Sequence, residues 1–97
     1  MMSGEEITAW LARLSEELQA TFFDQPLDKL ERSHLARRAH AIVSQAGFLG
    51  FSDLARLCSA LEEACATRAD LSACFEQASR AARAVCITIS ALRPEKP

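Results

Sequence analysis

The sequence predicts an all-α fold, an antiparallel up-and-down four-helix bundle, on three observations. Apolar residues recur every three or four positions through four segments. Those segments are separated by short stretches that carry proline, glycine or a capping side chain. Nothing alternates apolar and polar residues with period two over a useful length, so no strand is expected. The helices are expected at about residues 4–23, 27–48, 53–67 and 71–92 of a 97-residue chain, which is read as one domain spanning 1–97. Each helix must cover its apolar stripe, and short connections let antiparallel neighbours do so.

In the first segment Ser3 and Glu6 form an S-x-x-E capping box, and Ile7, Leu11, Leu14, Leu18 and Phe22 follow at helical spacing. Trp10, beside Leu11, reads as core or core edge. Asp24, Gln25 and Pro26 interrupt the pattern, and a second helix is expected from Leu27 because proline is tolerated at a helix start. Its stripe is Leu35, Ala39, Ile42 and Ala46, narrow and rich in alanine, and Gly47 and Gly50 mark its end. Phe48 and Phe51 are expected to pin the turn that follows. Ser52 reads as the N-cap of a third helix with Leu54, Leu57, Cys58, Leu61 and Cys65 inward. Asp70 reads as the cap of the fourth, whose stripe runs Leu71, Phe75, Ala78, Ala82, Val85, Ile89, Leu92 until Pro94 stops it.

Composition narrows the function classes. A net charge of −2 gives no basic footprint for nucleic acid. No stretch approaches the roughly 18 apolar residues that span a bilayer, and MMSGEEITAW is acidic where a secretory signal is basic, so a cytoplasmic location without membrane attachment is expected. Cys58, Cys65, Cys74 and Cys86 form no CxxC or CxxH pair and fall on or beside apolar stripes, where a thiol acts as a small hydrophobe. No metal site or cofactor is expected in the chain. Gly-rich phosphate loops, acid/base carboxylate pairs and Ser/His/Asp orders are likewise missing from the sequence, which argues against an autonomous kinase or hydrolase.

The two histidines lie on the second helix. At about 100° per residue, His40 points roughly 130° from the centre of the buried stripe and should face solvent. Its neighbours along the helix, Ala36, Arg37, Val43, Ser44 and Gly47, are mostly small and leave the ring accessible to a partner. An exposed histidine alone is usually a solvated surface residue. His34 sits about 120° around the helix from His40, so the two cannot form an i, i+4 metal pair, and it reads as a boundary residue. Arg38 reads as ordinary solvation.

The segment Ala39 to Phe51, AHAIVSQAGFLGF, with Leu54, Cys58, Leu61 and Glu62 downstream, carries a more specific pattern. It resembles the histidine-containing phosphotransfer (HPt) domains of bacterial multistep phosphorelays. His40, Ile42, Gly47, Gly50, Leu54, Leu61 and Glu62 stand where that family has its Ala-His pair, following aliphatic, glycines and Leu-rich helix ending in Leu-Glu. The order of four helices extends the similarity over nearly the whole chain. Two departures stand out: Val43 replaces the family's usual lysine and Ser44 its usual glycine.

The resemblance implies that His40 is the phosphoacceptor, using Nε2 as nucleophile toward an aspartyl phosphate, with little acid or base work since imidazole is largely unprotonated at neutral pH. It implies that Glu62 accepts the Nδ1 proton and orients the ring; without the resemblance Glu62 reads as a solvated residue beside Glu63. The family's lysine supplies positive charge near the phosphoryl group, so its loss weakens electrostatic support. Arg37 can partly substitute, and the Ser44 hydroxyl can donate to a phosphoryl oxygen.

The expected function is relay of a phosphoryl group between receiver-domain aspartates by a monomeric phosphocarrier. Its partners would be receiver domains of response regulators and hybrid histidine kinases, and the divalent metal would come from the receiver. Ala36, Ala41, Val43 and Gly47, with Arg37 and Ser44, would form the docking patch. The alternative, kept open by Val43, is an adaptor or inhibitor that docks on receiver or kinase domains without efficient transfer. A structural bundle with an incidental histidine would leave the spacing unexplained.

Overall fold

Four helices form, three of them within one residue of the expected bounds and the second starting later: α1 over Gly4–Phe22, α2 over Arg32–Leu49, α3 over Ser52–Thr67 and α4 over Ser72–Leu92. The computed structural model describes residues 4–67 and 70–92, and no strand occurs among them. Ser3 and Pro94, read as a cap and a stop, lie outside the described residues.

The four stripes meet in one core. Leu35, Ala39, Ile42 and Ala46 are all buried, against Leu14, Leu18 and Phe22 from α1, Leu54, Cys58 and Leu61 from α3, and Ala78, Ala82 and Ile89 from α4. Helix neighbours run in a ring, α1 on α2, α2 on α3, α3 on α4 and α4 on α1. Trp10 near the start of α1 meets Phe48 near the end of α2, and Phe22 at the end of α1 meets Phe75 near the start of α4. These are the pairings expected of antiparallel neighbours. Small alanines on the inner face of α2 let the helix axes approach, because interaxial distance follows the side chains at the contact.

The stripes overreach at the ends of the bundle. Ile7 is 40% and Leu92 63% exposed, and every residue from Gly4 to Trp10 is exposed, so the first turns of α1 project past the core. Thr21 is the one buried polar side chain among the described residues, and its hydroxyl has no hydrogen-bond partner there. Among the described residues no helix is long and apolar enough to cross a membrane.

The second helix starts five residues later than expected. Pro26, at φ −70° and ψ 157°, opens a 3₁₀ turn over Leu27–Lys29, in which the Lys29 N–H donates to the Pro26 carbonyl at 3.0 Å. Residues at i and i+3 eclipse in 3₁₀ geometry, so Leu27 and Leu30 both lie against the core. Leu30 and Glu31 are extended, and the α-helix begins only at Arg32. Both leucines are half-buried at the bundle end.

Two caps also differ from expectation. The Ala55 N–H donates to the Phe51 carbonyl, so Phe51 holds the N-cap position of α3 and Ser52 is its first helical residue. At α4 the Phe75 N–H donates to the Leu71 carbonyl, so Leu71 holds the N-cap position. Asp70, one residue before it, accepts the Ser72 N–H at 3.0 Å through Oδ1. That bond still satisfies one of the donors left without a partner at a helix start, and it holds the Asp70 carboxyl below its ordinary range.

Candidate functional site

A two-residue turn between α2 and α3 sets the register of the site. Gly50 has φ +91°, a left-handed conformation that disfavours any side chain. The Phe51 N–H reaches back to the Ala46 carbonyl at 2.8 Å and the Gly50 N–H to the Gly47 carbonyl at 3.3 Å, the paired bonds of a Schellman ending. At the far end of the same hairpin the Arg32 guanidinium donates to the Ala64 carbonyl at 3.0 Å, where a cation suits the carbonyl end of α3.

Between these two ties lies the contact that the family resemblance implied. His40 Nδ1 is 3.0 Å from Glu62 Oε2, across 22 residues of sequence. The His40 side chain is 70% exposed and that of Glu62 37%, so the ring stands at the surface while its partner is tucked partly beneath it. An ionised carboxylate can only accept, so the bond requires the proton on Nδ1 and leaves the lone pair of a neutral ring on Nε2. No hydrogen-bond partner meets Nε2 among the described residues.

The surroundings divide into two strips along α2. Ala36 and Val43 are half-buried and pack against the core, while Gly47 on the same strip is exposed. A Cβ at Gly47 would meet nothing within 4 Å, so the glycine leaves open space. Arg37, Ala41, Ser44 and Phe48 form the second strip, fully outward. Val43 thus presents neither a charge nor a fully exposed side chain. Arg37 lines a shallow surface hollow with His34 and Arg38, a basic patch one turn before His40. His34 is exposed, not a boundary residue, with Nε2 3.7 Å from Glu31 Oε2.

The aromatic residues are placed differently from expectation. Phe51 is half-buried against the core and does pin the turn, but Phe48 is 64% exposed and its ring lies 5.9 Å from that of Trp10. Trp10, read as core or core edge, is instead 38% exposed and lies outside the core cluster, with the Arg13 guanidinium 6.0 Å from its ring. Periodicity within one helix gives no sign of this contact, since it depends on the rotation of α1 against α2.

All four cysteines are free thiols. Cys58 and Cys65 are buried, and burial raises both, Cys58 to about 12, so neither is a nucleophile at neutral pH.

Comparison with known proteins follows the same line. Neither curated proteins nor solved structures give a match to the chain. The family model of the Hpt domain matches residues 4–93, which takes in all four helices, His40 and Glu62. Hpt domains are helical bundles that serve histidine phosphotransfer in phosphorelays, working with receiver domains and histidine kinases. With a match over nearly its whole length and a bundle of the matching kind, this chain belongs to the Hpt domain family.

Proposed function

We propose that the chain is a phosphocarrier that relays a phosphoryl group between receiver-domain aspartates, with His40 as phosphoacceptor. The observation that carries this reading is the double setting of one imidazole: Nδ1 bonded to Glu62 at 3.0 Å, and the ring 70% exposed. Nε2 attacks phosphorus, the N–P bond forms as the P–O bond to the receiver aspartate breaks, and the electron pair leaves with the aspartate carboxylate. The ring keeps its Nδ1 proton and gains positive charge, which Glu62 stabilises as it forms. No proton has to leave, so the chain needs no general base.

Arg37 and Ser44, both exposed on the strip beside the ring, are the groups assigned to the phosphoryl oxygens. The docking patch comprises Ala41 and Gly47 outward with the exposed edges of Ala36 and Val43. A divalent metal is assigned to the receiver, and this chain works as a monomer. The same reading places it in the cytoplasm, beside the receivers it would serve.

Val43 favours a second reading. With an apolar, half-buried side chain where the family has lysine, the domain would dock on receivers or kinases as an adaptor or inhibitor and transfer slowly.

One experiment separates the two. Incubation with a panel of phosphorylated receiver domains should deposit acid-labile, base-stable phosphate on the wild type and none on His40→Gln. Binding without label would favour the adaptor, and label that persists in the variant would contradict both.

A further inference from the structure

Arg32 carries its charge at the wrong end of a helix. It is the first residue of α2, where the N–H groups of a helix start concentrate positive potential and disfavour a cation. The Glu31 side chain makes no capping bond there, and the first turn of α2 holds no acid to offset the charge. Arg32 is also half-buried, which costs a long charged side chain hydration and rotamer freedom. A residue that breaks a local rule in this way points to a tertiary contact that compensates for it.

That contact lies at the end of α3. The guanidinium donates to the Ala64 carbonyl at 3.0 Å, across 32 residues of sequence, and the Thr67 hydroxyl donates to the same oxygen at 3.4 Å. Ala64 opens the last turn of α3, whose carbonyls have no acceptor role left to fill within the helix. Helix ends fray, and the loss of hydrogen bonds runs inward from the last turn. Glu62 stands two residues before Ala64, and in an α-helix its carbonyl is held by the Ala66 N–H, which belongs to that turn. Opening the turn therefore frees the backbone of Glu62, and the carboxylate 3.0 Å from His40 Nδ1 moves with it. The Arg32 charge also acts on the Asp70 carboxylate ahead of α4, so the guanidinium sits where α3 ends and α2 and α4 begin.

Resting on the relay reading above, we infer that Arg32 is a positioning residue for phosphoryl transfer: by closing the last turn of α3 against the start of α2, it keeps Glu62 seated on Nδ1 of His40. Arg32 lies eight residues before His40, about 12 Å along α2, and acts through Glu62 without touching the phosphoryl group. Its role differs from that of Arg37, which is exposed one turn before His40.

The test reads the ring before any phosphate is present. Arg32→Met removes the donors and keeps the apolar stem, so the fold survives. In ¹⁵N-histidine protein the ratio of Nδ1–H to Nε2–H tautomer in the neutral His40 ring should fall about fivefold in Arg32→Met and recover in Arg32→Lys, whose ammonium still donates to a carbonyl. Single-turnover transfer from a saturating phosphorylated receiver should slow about threefold, inside the tenfold expected of Glu62→Ala, with the receiver KM unchanged. Adding Arg32→Met to Glu62→Ala should slow transfer no further, because both act through one contact. Val85→Ala, buried on α4, weakens the fold away from this hairpin and should leave tautomer and rate at wild-type values. An unchanged tautomer in Arg32→Met overturns the inference, as does an equal change in Val85→Ala or a full additional loss in the double variant. A raised receiver KM at an unchanged rate also overturns it, since Arg32 would then belong to the docking surface. If no receiver labels the wild type, the relay reading fails by itself, and the tautomer decides whether Arg32 seats Glu62: a fivefold fall supports that link, and no change overturns it.

Discussion

A carboxylate has no proton to give, so the 3.0 Å separation between Glu62 Oε2 and His40 Nδ1 decides which ring nitrogen carries hydrogen. Replacing the carboxylate tests that role directly. Glu62→Ala should slow phosphoryl transfer to His40 about tenfold, the value of one charge-assisted hydrogen bond of about 1.4 kcal/mol at a half-open site, while Glu62→Gln, whose amide oxygen still accepts, should recover most of the rate. Single-turnover rates at saturating receiver read the difference. At Thr21 the buried hydroxyl has no partner among the described residues, so Thr21→Val should raise unfolding free energy by about 1 kcal/mol in urea titrations. His40 was legible as an exposed ring from its place on the helix, whereas Glu62 was legible only through the family resemblance, since by itself it reads as a solvated residue beside Glu63. Trp10 and Phe48 were not legible, since nothing local to either helix reports how two helices are rotated against each other.

At the scale of elements, the α2–α3 hairpin is tied at Gly50 and at Arg32, and the His40–Glu62 contact depends on the register between those ties. Gly50→Ala meets no neighbour within 4 Å, so its cost is the left-handed backbone alone, about 1 to 2 kcal/mol, and thermal unfolding should show it. The start of α4 should depend on pH. The Asp70 carboxyl is held below its ordinary 3.8, chiefly by the Ser72 backbone N–H, so its contribution is whole above that value and is lost as pH falls through the lowered one. Amide exchange at the first turn of α4 should quicken there, and Asp70→Ser, whose hydroxyl accepts at any pH, should abolish the effect. Helix ends were the least legible features. Pro26 permits either an α-helix or a 3₁₀ turn after it, and nothing local to the sequence reports that the turn forms with Leu27 and Leu30 packed against the core.

For the molecule as a whole, one small core holds the four helices, and its centre was readable because each stripe repeats with helical period. Leu61 is fully buried and lies next to Glu62, so Leu61→Ala should cost about 2 to 5 kcal/mol and lower the midpoint of unfolding. The ends of the stripes misled for a plain reason: Ile7 and Leu92 keep the period where no neighbour remains to cover them. The central claim is that this bundle presents Nε2 of one imidazole as a phosphoryl acceptor. Nuclear magnetic resonance of the ¹⁵N-histidine protein after exposure to a phosphorylated receiver tests it most directly. Phosphorus should couple to Nε2 of His40 with the proton retained on Nδ1; phosphorus on Nδ1, on His34, or on no ring nitrogen at all would contradict that claim.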